Sequence, residues 1–112
     1  MATTLTQIIT PQVVANSITT YYTVPTGKKC VTRAITFCNP TGTARTVSVY
    51  IVPSGGSADN TTTLLKSYAV DTLETLTPSD LQNHVLQAGD TIDIIASSAS
   101  SITVLGSGTE VS

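Results

Sequence analysis

The chain has 112 residues, of which 40% are apolar and only 11% are charged, and its net charge is −2 at pH 7. This length suits one domain, and the apolar content excludes a disordered segment. The five basic residues are scattered, with only Lys28 and Lys29 adjacent, so we expect no nucleic-acid partner. We also expect no membrane partner, since no run approaches the roughly 18 apolar residues of a membrane span, and no signal peptide.

Threonine and serine fill the polar positions that charged residues usually occupy, and together they make up about 30% of the chain, roughly twice the average usage. One interpretation is that threonine, a good strand residue, covers solvent-facing sheet surface. The other is that a hydroxyl-rich surface of low charge packs against further subunits, because charge is depleted in the core of interfaces. The composition leaves both open.

The first 16 residues have little periodicity, and we interpret residues 1–16 as an extended N-terminal arm in front of a sandwich domain at residues 17–112. The arm carries apolar residues at Ile8, Ile9, Val13 and Val14. An extended segment can add a strand to the exposed sheet edge of a neighbour. We therefore predict these four residues as interface candidates.

Residues 18–24 alternate in the manner of a first strand and contain the adjacent pair Tyr21 and Tyr22. Successive side chains of a regular strand point to opposite faces, so one of the two tyrosines is expected to face outward. An outward tyrosine suits stacking or an interface, and both residues join the interface candidates. The alternative is one buried and one solvated tyrosine with no such role.

Residues 29–38 form the longest predicted strand, with Val31, Ile35 and Phe37 expected on one face and a cysteine near each end. Cys30 and Cys38 lie eight residues apart, which places them on one face but about 26 Å from each other. A disulfide needs Cα atoms within about 7 Å. We expect two free thiols and a protein made in a reducing cytoplasm.

The rest of the chain continues the alternation between turn signals. The further predicted strands cover residues 43–52, 63–70, 72–76, 91–96 and 102–105, with a short strand from His84 and an extension of the last strand through Val111. Thr77, Pro78 and Asp80 resemble the start of a helix, with Thr77 as the cap. About seven or eight strands at this spacing predict an all-β, antiparallel β-sandwich, jelly-roll-like or immunoglobulin-like, with at most one helical turn.

Candidate catalytic and metal-binding residues are few and isolated. His84 is the sole histidine, without the partner that nucleophilic catalysis needs. The acid pairs, Asp71 with Glu74 and Asp90 with Asp93, are spaced so that their members point to opposite strand faces. The loop at residues 57–60 is a weak calcium candidate. We expect no enzyme, no cofactor and no metal.

Four segments together resemble small structural proteins of tailed-bacteriophage particles: Tyr22–Lys29, Ile35–Gly42, Val47–Gly56 and Leu86–Ile92. The resemblance spans residues 18–111. It implies a structural protein of the virion, assembled in the host cytoplasm, such as a capsid decoration or cement protein. The implied partners are further copies of the chain, as a trimer, and the major capsid protein or other subunits of the virion. The alternatives are a tail, baseplate or fibre accessory protein, or a carbohydrate-binding module for host recognition.

Overall fold

The computed structural model describes residues 2–112, which fold into two antiparallel sheets packed face to face. The predicted all-β sandwich is confirmed, and one turn of 3-10 helix at Ser79–Leu81 is the only helical element in the described residues. The strands are β1 Thr3–Val13, β2 Thr19–Thr23, β3 Lys29–Cys38, β4 Arg45–Val52, β5 Thr63–Val70, β6 Thr75–Leu76, β7 Val85–Leu86, β8 Thr91–Ala96 and β9 Thr103–Val111.

The strand order distinguishes between the two sandwich types that the sequence left open. One sheet has the order β1-β9-β3-β6, with β7 also paired to β3, and the other has the order β2-β8-β4-β5. Because β6 and β7 pair with opposite ends of β3, they act as two pieces of one edge strand. With β6 and β7 counted as one strand, consecutive strands alternate between two four-strand layers except at β4 and β5, which pair within one layer, and this is the jelly-roll arrangement.

The interpretation of residues 1–16 as a separate arm is wrong for the part that the structure describes. Residues 3–13 form β1, the longest strand, and pair antiparallel with β9 along its length. The sandwich domain therefore includes residues that we had placed outside it. The physical reason is burial, because Ile8, Ile9 and Val14 belong to the hydrophobic core between the sheets.

Irregularities in the pairing of β1 with β9 explain why the sequence pattern of this strand was weak. The register shifts between Thr6 and Ile9, and such a bulge turns two neighbouring side chains to the same side. Ile8 and Ile9 are both buried as a result. They lie over Gly106 and Gly108 of β9, where an added Cβ would come within 3.1–3.2 Å of these isoleucines.

A second irregularity corrects the predicted faces of β3. The register with β9 shifts between Thr32 and Ala34, so the alternation changes phase within the strand. Cys30 and Thr32 point into the core before the shift, and Ile35 and Phe37 point into it afterwards. Val31 is therefore not on the face of Ile35. The two cysteines do not share a face either: Cys30 is buried and Cys38 is half-buried, and both are free thiols, as predicted.

The turn after β3 is held by a fully buried asparagine, Asn39. Its Nδ2 donates to the carbonyl oxygens of Thr43, at 2.8 Å, and Val70, at 3.0 Å, and its Oδ1 accepts from the backbone N–H and hydroxyl of Thr41, at 3.0 and 2.6 Å. Val70 ends β5 in the other sheet, so this one side chain ties the two sheets together.

The predicted helix start is present as a single turn, but its cap is different. Pro78 occupies the cap position and no side chain caps the turn. The hydroxyl of Thr77 instead lies 2.9 Å from the hydroxyl of Thr36 on β3. A three-residue turn packed through Leu81 against the core does not need the predicted capping box.

Candidate functional site

The six predicted interface residues divide into core and surface. Ile8, Ile9 and Val14 are buried inside the domain, so they are not available to a neighbouring subunit and their assignment as an interface is wrong. Val13 is 51% exposed at the end of β1. It is the one member of the four N-terminal candidates that stays on the surface.

Tyr21 and Tyr22 both pack against the core, contrary to the expectation that one must face outward. The register of β2 with β8 shifts between Thr20 and Tyr22, which breaks the alternation at this pair. The Tyr21 hydroxyl accepts a hydrogen bond from the Ala15 N–H at 2.8 Å, and the Tyr22 hydroxyl donates to the Glu110 carboxylate at 2.6 Å. Tyr21 thus fixes the connection between β1 and β2, and Tyr22 links β2 to β9.

Glu110 is the centre of a polar cluster at one end of the sandwich. It lies opposite Cys30 in the β3–β9 ladder and is only 8% exposed. Besides the Tyr22 hydroxyl, its carboxylate has the Lys28 ammonium at 3.7 Å. Desolvation by burial, and then the hydrogen bond to Glu110, raise the pKa of Tyr22, and burial raises the pKa of the Cys30 thiol. A thiol kept protonated in this way is a poor nucleophile.

The candidate catalytic residues are used in local structure. The exposed His84 ring has its Nε2 2.6 Å from the Asp80 carbonyl oxygen. The Asp90 carboxylate accepts from the backbone N–H groups of Ser54 and Gln87, at 3.1 and 2.9 Å, so it holds the turn before β8. Glu74 likewise accepts from the Asp71 N–H at 3.0 Å. These contacts hold turns and short connections in place.

The described residues contain neither a metal-binding cluster nor a membrane-spanning helix. Among residues 2–112, no group of three or more His, Cys, Asp or Glu side chains is placed to hold a metal ion. In the same part of the chain, no helix is long and apolar enough to cross a membrane. The loop around Asp59 is instead closed by its own hydrogen bonds from Thr61, at 2.8 and 2.6 Å, which lower the pKa of that carboxyl.

The most distinctive surface is one lateral side of the sandwich, formed by the edge strands β1 and β2, and we call it the uncharged edge. Each strand is the last in its sheet. The first charged side chain of the sequence is Lys28, so the whole of β1 and β2 carries none. Leu5, 86% exposed, is the most exposed large apolar side chain among the described residues. The absence of charge is visible in the sequence, but its position at a sheet edge is not.

The opposite side of the sandwich has the usual protection of sheet edges. Exposed edges are commonly blocked by lysine, bulges or very short strands. The edge strand β5 carries Lys66, and the register with β4 shifts near Ser67, which has a φ of 50°. The edge strands β6 and β7 have two residues each. The two sides of the domain therefore differ in charge and in strand length, because the opposite side has a lysine and two very short strands, whereas β1 and β2 are longer and uncharged.

Shallow hollows lie on the outer face of each sheet. One of about 440 Å³ lies beside β1 and is lined by Leu5, Thr6, Gln7, Arg33, Ser107 and Gly108. Arg33 is held there by hydrogen bonds to Asn83, at 3.0 Å, and to Thr109, at 3.4 Å. A second hollow of similar volume lies over β4 and β8 and includes Tyr50 and Lys66. Neither gathers a set of converging charged groups.

No protein-family model, curated protein or solved structure matches this chain. The features that bear on its function are therefore the jelly-roll fold and the difference in charge between the uncharged edge and the opposite side of the sandwich.

Proposed function

We propose that this chain is a multi-copy structural protein of a bacteriophage particle, most specifically a capsid decoration or cement protein. Its proposed partners are further copies of itself and the major capsid protein, and its proposed location is the virion. The observation that supports this most is the uncharged edge. A strand edge without charged side chains is a hazard for a free monomer, whereas depletion of charge is characteristic of the core of protein interfaces.

The fold agrees with the proposal at the level of analogy. Jelly rolls include viral capsid domains, although they also include lectins. One fold can have many functions, so the main support for the proposal is the uncharged edge and not the topology. The high content of threonine and serine, with few charges, suits a surface that packs against many neighbours.

The proposed action is mechanical. A protein that binds the assembled shell and not its free subunits stabilises the shell by mass action, by about 2.7 kcal/mol per site at a free concentration 100 times the dissociation constant. No side chain of this chain needs to react. The uncharged edge and the outer sheet faces would supply the contacts.

Adding the purified protein back to particles that lack it tests the proposal. Particles from a phage deleted for this gene should bind the protein at many sites over the shell, and should then release their DNA at a higher temperature. Cryo-electron microscopy locates the added density. Absence of the protein from purified wild-type particles would exclude every structural role in the virion.

The same measurement separates the alternatives within the particle. Density spread over the whole shell fits a cement protein, whereas density restricted to the tail or its vertex fits a tail, baseplate or fibre accessory protein. The carbohydrate-binding alternative has less support, because the side chains of Tyr21 and Tyr22 both pack against the core of the domain. A glycan array with the wild-type protein tests it directly.

A further inference from the structure

We infer that Thr3 and Leu5 of β1 pair with Leu5 and Thr3 of a second copy, antiparallel about a two-fold axis at Thr4, and that this joins the two sheets that contain β1 into one. The pairing deepens the proposed function, and the biological meaning of the pairing rests on that function. The pairing itself is a property of the purified protein. The uncharged edge is thereby assigned a specific occupant.

The backbone geometry of β1 leaves the necessary hydrogen-bonding groups free. Ala2 and Ser112 exchange two backbone hydrogen bonds, at 3.3 and 2.9 Å, and the register is regular from there through Thr6. In an antiparallel ladder every second residue bonds to the partner strand. Thr4 and Thr6 therefore bond to β9, and the N–H and C=O groups of Thr3 and Leu5 point to the free edge.

This stretch lacks the protection that the rest of β1 has. The second half of β1 contains Pro11, and its register with β9 shifts twice beyond Thr6. A proline removes a donor, and a bulge turns the edge away from a flat partner. Thr3–Thr6 has neither, and it has no charge. It is the flat, open part of this edge.

A second copy is the occupant that fits best. Two-fold pairing places a strand against itself, so any charge on it would face a like charge, and like charges across strands are destabilising. Thr3–Thr6 carries none. Among the described edge strands, β5 has Lys66, and β2 and β5 contain register shifts. The same stretch of another molecule is the matching flat edge, and it covers the exposed side chain of Leu5.

The variant Leu5→Pro tests the pairing at the backbone. Because the Leu5 N–H points away from β9, proline at this position removes a donor from the free edge and none from the β1–β9 ladder. By light scattering after size exclusion, the wild-type protein should have twice the 11.6 kDa mass of one chain. Leu5→Pro should raise the dimer dissociation constant roughly 10- to 100-fold, since symmetry removes two hydrogen bonds.

A matched pair of charge variants provides the control. Leu5→Lys places like charges on both sides of the new junction and should also dissociate the dimer. Val85→Lys adds the same charge on the same sheet face, in the same row of paired residues (Leu5, Thr109, Val31, Val85), but at the far side of the sheet. Val85 is 58% exposed, so this variant should remain dimeric. Thermal unfolding of each variant confirms that it is folded.

The inference would be overturned by a monomeric wild-type protein, by a dimer that both Leu5 variants leave intact, or by equal dissociation by Val85→Lys. A trimer, which the resemblance to virion proteins implies, would also overturn it, because a two-fold pair closes at two copies. These results are separate from the proposed function. A dimer that fails to bind particles would leave the pairing correct and the particle role wrong.

Discussion

At the scale of single residues, buried polar side chains have a larger structural role than the sequence suggested. Asn39 stands before Pro40, and asparagine before proline is a common turn signal. In the fold, all four hydrogen-bonding capacities of its side chain are satisfied while it is fully buried. One of these hydrogen bonds is to Val70 of β5, 31 residues later in the chain, and no local sequence pattern specifies that contact.

Asn39→Asp should destabilise the domain strongly. The substitution keeps the shape but replaces the two donated hydrogen bonds by a carboxylate that faces two carbonyl oxygens. We expect a loss of about 3 kcal/mol or more in the free energy of unfolding, measured by urea denaturation. The exposed Asn60 provides the matched control, and Asn60→Asp should change it by less than about 0.5 kcal/mol. Equal effects of the two substitutions would show that Asn39 is not a structural centre.

At the scale of elements, β1 is an integral part of the sandwich. Its contribution comes from Ile8, Ile9 and the adjoining Val14, which are buried. Full burial of an aliphatic side chain stabilises by about 1.5–3 kcal/mol. For three such residues the total is comparable to the entire stability of a typical domain, roughly 5–15 kcal/mol.

Deletion of residues 2–14 should therefore unfold the protein rather than merely remove an interaction arm. The truncated chain would leave β9 with a free edge, and the surfaces of Gly106 and Gly108 without cover. We expect loss of the cooperative thermal transition and of the dispersed amide signals in an NMR spectrum. Leu5→Ala, which shortens an exposed side chain of the same strand, should stay folded. A folded truncated protein would restore the interpretation of this segment as an arm.

At the scale of the whole molecule, the two sheets are joined at one end by the contact between Tyr22 on β2 and Glu110 on β9. The pKa of Tyr22 is raised above its ordinary value of 10.0, and that of Cys30 above 9.0, in each case mainly by burial. Groups whose pKa is raised in the folded state stabilise it fully below the ordinary pKa. The stabilisation is lost as the pH rises, because only the unfolded state then releases the proton.

The free energy of unfolding should consequently fall as the pH rises above about 9–10. Urea denaturation at a series of alkaline pH values measures this dependence. Tyr22→Phe removes one of the two groups and should make the decline shallower, even though the variant is less stable at neutral pH through loss of the hydrogen bond to Glu110. An unchanged slope in this variant would show that Tyr22 is not responsible.

The sequence by itself determined the all-β class and most strand positions, because alternation between turn signals is a local property. Residues 29–38, 63–70 and 91–96 were predicted with the bounds that the structure has. The free state of Cys30 and Cys38 also followed from their distance along one strand, although the phase change near Arg33 separates their faces.

Only the tertiary structure decided where the first strand belongs, what the adjacent apolar and aromatic pairs do, and which sandwich topology forms. Two adjacent pairs break the alternation of a regular strand: Ile8 with Ile9, and Tyr21 with Tyr22. The effect of such a break depends on the neighbouring strand that accommodates it. For Ile8 and Ile9 that strand is β9, about 100 residues away, where two glycines leave room. The same holds for the uncharged edge. The sequence shows that the first 27 residues carry no charged side chain, but only the pairing between distant strands places β1 and β2 at the side of the molecule.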